Sequence, residues 1–166
     1  MKTDENLRAA FAGESQANRK YIAFSKRAEQ ESFPQIAKLF RAAAEAETVH
    51  ALSHLRTMRG VGSTIENLNA ALEGEVYEHS KMYPEFIQKA ESEKRVDARL
   101  TFNYANAAEK VHAKLYQEAI EVLKSGKDLA AREYLVCQTC GYTVEGEAPE
   151  KCPVCGALKT QFKNIV

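Results

Sequence analysis

Ala44-Glu45-Ala46-Glu47-Thr48-Val49-His50 and Asn106-Ala107-Ala108-Glu109-Lys110-Val111-His112 decide how this chain folds. Each carries Glu-x-x-His inside a long helical pattern, a spacing that sets carboxylate and imidazole on one helical face about one turn apart. Each is preceded, on an earlier helical stretch, by a glutamate that follows a glycine: Gly13-Glu14 in the first half and Gly74-Glu75 in the second. A carboxylate inside an apolar stripe is costly unless positive charge meets it. The same polar set kept in both halves therefore points to cations held between four helices, an arrangement with two halves related by a pseudo-twofold axis.

Working outward, residues 4 to about 30 read as a first helix, with Leu7, Ala10, Phe11, Glu14, Ala17, Tyr21, Phe24 and Ala28 on one stripe. Ser32-Phe33-Pro34 breaks the run, with Ser32 expected as N-cap and Pro34 in the first turn of the next helix. That second helix, about 34 to 59, carries Ile36, Leu39, Phe40, Ala43, Ala46, Glu47, His50 and His54 on its apolar face and is expected to stop at Gly60 and Gly62. A third, capped by Ser63 or Thr64, runs to roughly 91 through Leu68, Leu72, Glu75, Glu78 or His79, Met82 and Phe86, with Pro84 expected to kink it or locally adjust the backbone. After a short break at 92–94 a fourth covers about 95 to 124, burying Leu100, Tyr104, Ala108, Glu109, His112, Leu115, Ile120 and Leu123, and ending at Ser125-Gly126.

The connection between the second and third helices is short. If those helices lie parallel in one bundle, the chain must return roughly 30 Å between them. Residues 60–65 reach only about 20 Å when extended. The expectation is a homodimer in which helical hairpins are exchanged, each bundle taking two helices from each protomer.

The cysteines, Cys137, Cys140, Cys152 and Cys155, form two Cys-x-x-Cys pairs in a turn-rich tail. Such pairs, each followed by glycine, are metal-ligand usage rather than a disulfide framework. Four thiolates suit a single iron or Zn²⁺ in tetrahedral geometry. A tail this small needs the metal to hold it together. Tyr142, Val154 and Phe162 are expected to shield it. The expected division is a four-helix domain over 1–126, a linker over 127–134 and the cysteine domain over 135–166.

Composition narrows the function. The 166 residues are 45% hydrophobic and 28% charged, with zero formal net charge, which fits a folded chain and gives no basic surplus for a nucleic-acid partner. No run is long enough to span a bilayer and the first residues lack a signal-peptide core, so a cytoplasmic location without a membrane partner is expected. In the helical site Glu47 and Glu109 are the bridging candidates, Glu14 and Glu75 terminal carboxylates, His50 and His112 nitrogen ligands, and Glu78 a seventh ligand. So carboxylate-rich a set suits two iron ions, or manganese, better than copper. Tyr21 and Tyr83 stand where a phenol can donate to a ligand or to bound oxidant. His54 and His79 are expected on the surface or in support.

These residues together resemble the rubrerythrin family, a ferritin-like di-iron domain followed by a rubredoxin-like domain, over nearly the whole chain. The resemblance implies an all-α four-helix ferritin-like bundle with a small C-terminal rubredoxin-like β domain. It implies that Glu14, Glu47, Glu75, Glu78 and Glu109 bind the iron pair with His112 on one iron, and that His50 replaces Glu78 on the other when the site is reduced. Tyr21 and Tyr83 match the family's hydrogen-bonding tyrosines. The activity implied is that of a peroxidase reducing hydrogen peroxide to water, with electrons relayed through the Fe(Cys)₄ centre from rubredoxin or an NAD(P)H-linked reductase. The short second connection departs from the longer family form and resembles members with exchanged hairpins. The alternatives are a ferroxidase or oxidase using O₂, an iron-storage protein with a structural zinc tail, and a non-enzymatic interaction protein with a zinc knuckle. The cysteine tail argues against storage, which needs no relay.

Overall fold

The computed structural model describes residues 2–166. The fold class is an all-α four-helix bundle type with a small C-terminal β-rich metal module. The chain divides into two compact units, one ending at Gly62 and one spanning Ser63–Val166.

The first unit is a hairpin of α1 (Thr3–Gln30) and α2 (Pro34–Thr57). Its seam is built from small residues. Ala37, Ala44 and Ala51, spaced by seven, are buried on α2, facing buried Asn18, Ser25 and Ala28 on α1. Small side chains let the two backbones approach, and the Asn18 amide then reaches across to donate to the Ala44 carbonyl at 2.7 Å and the Thr48 hydroxyl at 2.8 Å. Part of the expected apolar face of α2 lies outside this seam. Ile36 and Leu39 are exposed, at 48% and 68%, because the α1 contact selects the alanine stripe one residue around the helix.

The second unit begins with α3 (Thr64–Tyr77), whose N-cap is Ser63; Glu66 folds back to accept from the Ser63 N–H at 2.7 Å and its hydroxyl at 2.6 Å. The expected single third helix is interrupted. A π-helical turn at Glu78–Met82 separates α3 from α4 (Tyr83–Ser92). Pro84 has no N–H and its ring crowds the carbonyl four residues earlier, so the backbone adjusts locally as expected, widening into the π-helical turn. The turn holds one extra residue. Before it, the halves repeat at an offset of 61 (Glu14 with Glu75); after it, at 62 (Tyr21 with Tyr83, Glu47 with Glu109). The result is a matched pair of aromatic clusters. Tyr21, Phe24 and Phe40 pack with ring centroids 5.6–6.3 Å apart, and so do Tyr83, Phe86 and Phe102. Helix α5 (Val96–Lys124) packs on both α3 and α4 and buries Ala108, Ala113 and Ile120.

Three helix ends differ from expectation. Ser32 is not the N-cap of α2; it adopts φ 63° and closes α1, while Phe33 takes the N-cap position. Arg59 (φ 55°) plays the same part after α2, and Lys94 (φ 57°) after α4. In each, the next residue's N–H reaches back into the last turn: Phe33 to Ala28 O, Gly60 to Leu55 O and Arg95 to Ala90 O, all at 2.8–2.9 Å. A Cβ at Gly60 would lie 2.4 Å from the Leu55 Cδ1 methyl, so a larger residue there needs the Leu55 side chain to turn aside.

The tail is a three-stranded antiparallel sheet in the order β2-β1-β3, from β1 (Tyr134–Cys137), β2 (Thr143–Glu145) and β3 (Phe162–Ile165). Few large side chains are fully buried in the whole chain: Ile120 and Cys137 are the largest among the described residues. Phe24, Leu39, Leu52, Phe86, Val96 and Leu100 stay exposed.

Candidate metal centres

In the first unit Glu14, from the middle of α1, meets Glu47 and His50 on α2, with one ligand atom of each within 4.8 Å of the others. His50 Nδ1 lies 2.9 Å from Glu47 Oε2. In the second unit Glu75 on α3 meets Glu109 and His112 on α5 under the same 4.8 Å limit. His112 Nδ1 lies 2.8 Å from Glu109 Oε2 and 3.5 Å from Glu75 Oε1. The two triplets are built alike because each hairpin repeats one helical pairing of Gly-Glu against Glu-x-x-His.

The second triplet carries the marks of a cation site. Glu75 Oε2 is buried without a hydrogen-bond partner. Burial, a hydrogen bond with Glu109, and the charges of Glu109 and Glu78 raise the Glu75 carboxyl to about 7. A proton there stands in for the positive charge that two facing carboxylates demand. A divalent ion would remove the need for it and satisfy the orphaned oxygen. The donor set, carboxylates with imidazole nitrogen, is of the di-iron kind.

Glu78 sits on the π-helical turn and falls outside the triplet's 4.8 Å grouping. It still senses the site. Burial and the Glu109 charge raise its carboxyl, opposed by His112. Tyr83 begins α4, and burial followed by the charges of Glu109, Glu78 and Glu75 holds its phenol above the ordinary range. It therefore stays protonated beside three carboxylates. Tyr21 occupies the matching place in the first unit, within its aromatic cluster.

The cysteine site is closed and nearly symmetric. All four thiols are free, with Cys137 Sγ 3.7 Å from Cys155 Sγ and Cys140 Sγ 3.6 Å from Cys152 Sγ. A tetrahedron with bonds of ~2.3 Å has edges of about 3.8 Å, so the four sulfurs surround a space fitting one tetrahedral metal ion. Each knuckle turns on a glycine, Gly141 at φ 81° and Gly156 at φ 75°, whose N–H donates at 2.9 Å to the carbonyl of the first cysteine. Burial opposes the Cys137 thiolate, yet the N–H groups of Thr139 and Cys140 and the Cys155 thiol outweigh it and bring the group to about 7. Burial pushes Cys140 up, which leaves that thiolate dependent on a metal. Tyr142, Val154, Ala157 and Phe162 cover the cluster, as does Tyr104 of α5.

One residue of the tail was not legible as part of the site. His112 Nε2 meets Thr143 Oγ1 at 2.9 Å, and Thr143 is 9% exposed at the start of β2. A threonine after a glycine knuckle carries no sequence signal of this.

A family model described as rubrerythrin matches residues 5–120, and one described as the rubrerythrin rubredoxin-like domain matches residues 136–163. The chain is 35% identical to Rubrerythrin-2 of Clostridium acetobutylicum, over 97% of this chain and 95% of that protein. It is 38% identical to nigerythrin of Nitratidesulfovibrio vulgaris, over 96% of this chain and 85% of the relative. A solved structure of nigerythrin in a partially reduced state aligns with a TM-score of 0.59 at 36% identity, covering 99% of this chain and 87% of the other. Another is described as fully reduced and all ferrous, also with a TM-score of 0.59 at 36% identity.

Proposed function

The chain belongs to the rubrerythrin family, and on that premise we propose that it is a non-haem di-iron peroxidase that reduces hydrogen peroxide to water. The observation that carries the reading is the four-thiolate centre built against α5, the helix that also holds Glu109 and His112. An oxidative site that must be re-reduced needs an electron entry, and storage of iron does not. The ferrous nigerythrin structure supports iron as the metal at both centres.

Glu14, Glu47, Glu75 and Glu109 would hold the pair in the bundle with His50 and His112, and Glu78 would add a further carboxylate from the π-helical turn. Cys137, Cys140, Cys152 and Cys155 would hold the third iron. When bound, an iron pair supplies two one-electron valence changes for cleavage of an O–O bond, and a single thiolate-bound iron supplies one-electron transfer. The protein's own part is positional and protic. Paired carboxylates would balance the changing charge, and Tyr83, whose phenol burial and acidic neighbours hold above the ordinary range, would offer its O–H to the oxidant. Rubredoxin or an NAD(P)H-linked reductase would supply electrons to the thiolate site. We place the protein in the cytoplasm; among the described residues no helix is long and apolar enough to cross a membrane.

Each unit contributes one triplet, and a second copy is the proposed means of pairing them. The exposed apolar residues on α2 and α5, such as Leu39 and Leu100, support burial against a partner protomer.

The test is stopped-flow absorbance on iron-loaded protein, reduced without oxygen and mixed with H₂O₂ or with O₂. Fast return of the ferric-thiolate bands with peroxide and slow return with O₂ is the expected result. Faster reaction with O₂, or thiolates filled by zinc and silent, would replace the reading with oxidase or ferroxidase chemistry. Cys140→Ser should stop turnover with an external donor; unchanged turnover would remove the relay role.

A further inference from the structure

We propose that Thr143 is the positioning residue that fixes His112 as an Nδ1 metal ligand, so that the cysteine module itself completes the second carboxylate–histidine triplet. The inference rests on the reading of that triplet as a metal site. The Thr143 hydroxyl has two partners, His112 Nε2 at 2.9 Å and the Gly141 carbonyl at 3.3 Å, which can take its hydrogen. A cation held by Glu75 and Glu109 would take the Nδ1 lone pair and leave the imidazole hydrogen on Nε2, where the Thr143 hydroxyl, donating to Gly141, is the acceptor within reach. A neutral imidazole with its hydrogen on Nε2 has a bare Nδ1, and Nδ1 is the nitrogen that faces Glu109 and Glu75. The hydrogen-bond chain thus aims a lone pair at the place where the carboxylates converge.

Three observations make this a built arrangement. Thr143 is buried, and its backbone is fixed by pairing with Val136 in the sheet. Gly141, at φ 81°, lies against α5 closely enough that an added Cβ would stand 3.9 Å from Ala108 Cβ, one residue before Glu109. The matching histidine of the first unit differs. His50 meets Glu47 through Nδ1 and its side chain is 56% exposed, against 29% for His112. The two Glu-x-x-His motifs are equal in sequence but unequal in support. Thr143 gives His112 a partner on its second ring nitrogen, whereas the contact of His50 with Glu47 is through Nδ1.

The bond also connects the centres. From Cys140 the chain runs through Gly141, whose carbonyl receives the Thr143 hydroxyl, which receives His112 Nε2–H. Loss of the hydroxyl would therefore loosen one metal in the bundle without touching any ligand.

The experiment compares wild type, Thr143→Val and Thr143→Ser, all iron-loaded and reduced, by the rate at which a ferrous chelator strips the bundle iron under argon. The thiolate-iron bands report that the tail remains folded. Thr143→Val should release one bundle iron per chain about 10–100-fold faster, the range typical of losing a hydrogen bond behind a metal-bound histidine, and Thr143→Ser should behave as wild type. Release from Thr143→Val at the wild-type rate would overturn the proposal. So would equally fast release from Thr143→Ser with its thiolate bands intact. A second readout needs no variant: long-range ¹H–¹⁵N correlation in zinc-loaded wild type should place the His112 hydrogen on Nε2, and a hydrogen on Nδ1 would overturn the assignment. Neither measurement involves turnover, so failure to reduce peroxide would refute the proposed activity and leave the role of Thr143 to be judged separately.

Discussion

Lengthening the hinge between α2 and α3 should turn an exchanged dimer into a monomer. Helix α2 has 24 residues, and at ~1.5 Å per residue it spans about 36 Å. If α3 is to lie parallel to α2 in the same bundle, the connection must cover most of that length. Thr57 and Thr64 bound the two helices, and the six residues between them reach about 20 Å at most. The shortfall is roughly 16 Å, or about five fully extended residues, and more for a flexible insert that behaves as a coil. We predict that about 15 Gly/Ser residues inserted between Val61 and Gly62 permit both triplets of one chain to meet. The assay is light scattering coupled to size exclusion, with iron per chain measured on each peak. Wild type should run at twice the 18.5 kDa chain mass, an insert of two residues should not change this, and the long insert should give an iron-loaded monomer at low concentration. A wild-type monomer already holding two bundle irons, or a monomer from the two-residue insert, would refute the length argument.

Two further outcomes follow from the site and the seam. Asn18→Ala removes two buried hydrogen bonds across the first hairpin, to Ala44 O and Thr48 Oγ1; at ~1 kcal/mol each the loss is about 2 kcal/mol, read as a lower urea midpoint in the metal-free protein, and an unchanged midpoint would show that the small-residue seam needs no bridge. Glu75 has its carboxyl raised to about 7, first by burial and then by Glu109. A raised acid contributes stability that is complete below the ordinary carboxyl range and is lost as pH rises through 7. Metal-free protein should therefore melt lower at pH 7.5 than at pH 5 to a greater extent than Glu75→Gln, and equal pH dependence in the two would show that the proton is not held there.

Much of the bundle and its chemistry is readable from spacing alone. Glu47 and His50, or Glu109 and His112, meet because helical geometry brings residues three apart onto one face wherever the helix sits. Cys-x-x-Cys followed by glycine closes a knuckle from local backbone alone, and the sulfur separations of 3.6 and 3.7 Å follow from two such knuckles facing each other. The cap of α3 is narrowed to Ser63 or Thr64 by residue type, and the hydrogen bonds of Ser63 with Glu66 decide for Ser63.

The tertiary structure decided what depends on segments far apart in the chain. Ile36 and Leu39 had the right character for a buried face, but Asn18 and the alanines of the seam chose which side of α2 meets α1. The left-handed residues Ser32, Arg59 and Lys94 are of types that rarely advertise that backbone, and only the closing hydrogen bonds of each helix select it. Pro84 announced a disturbance, but not that one extra residue would be taken up in a π-helical turn carrying Glu78. The hydrogen bond from His112 to Thr143 joins residues 31 positions apart. Local periodicity specifies which side chains share a face; which of them is held still, and by what, is settled only when separate elements pack.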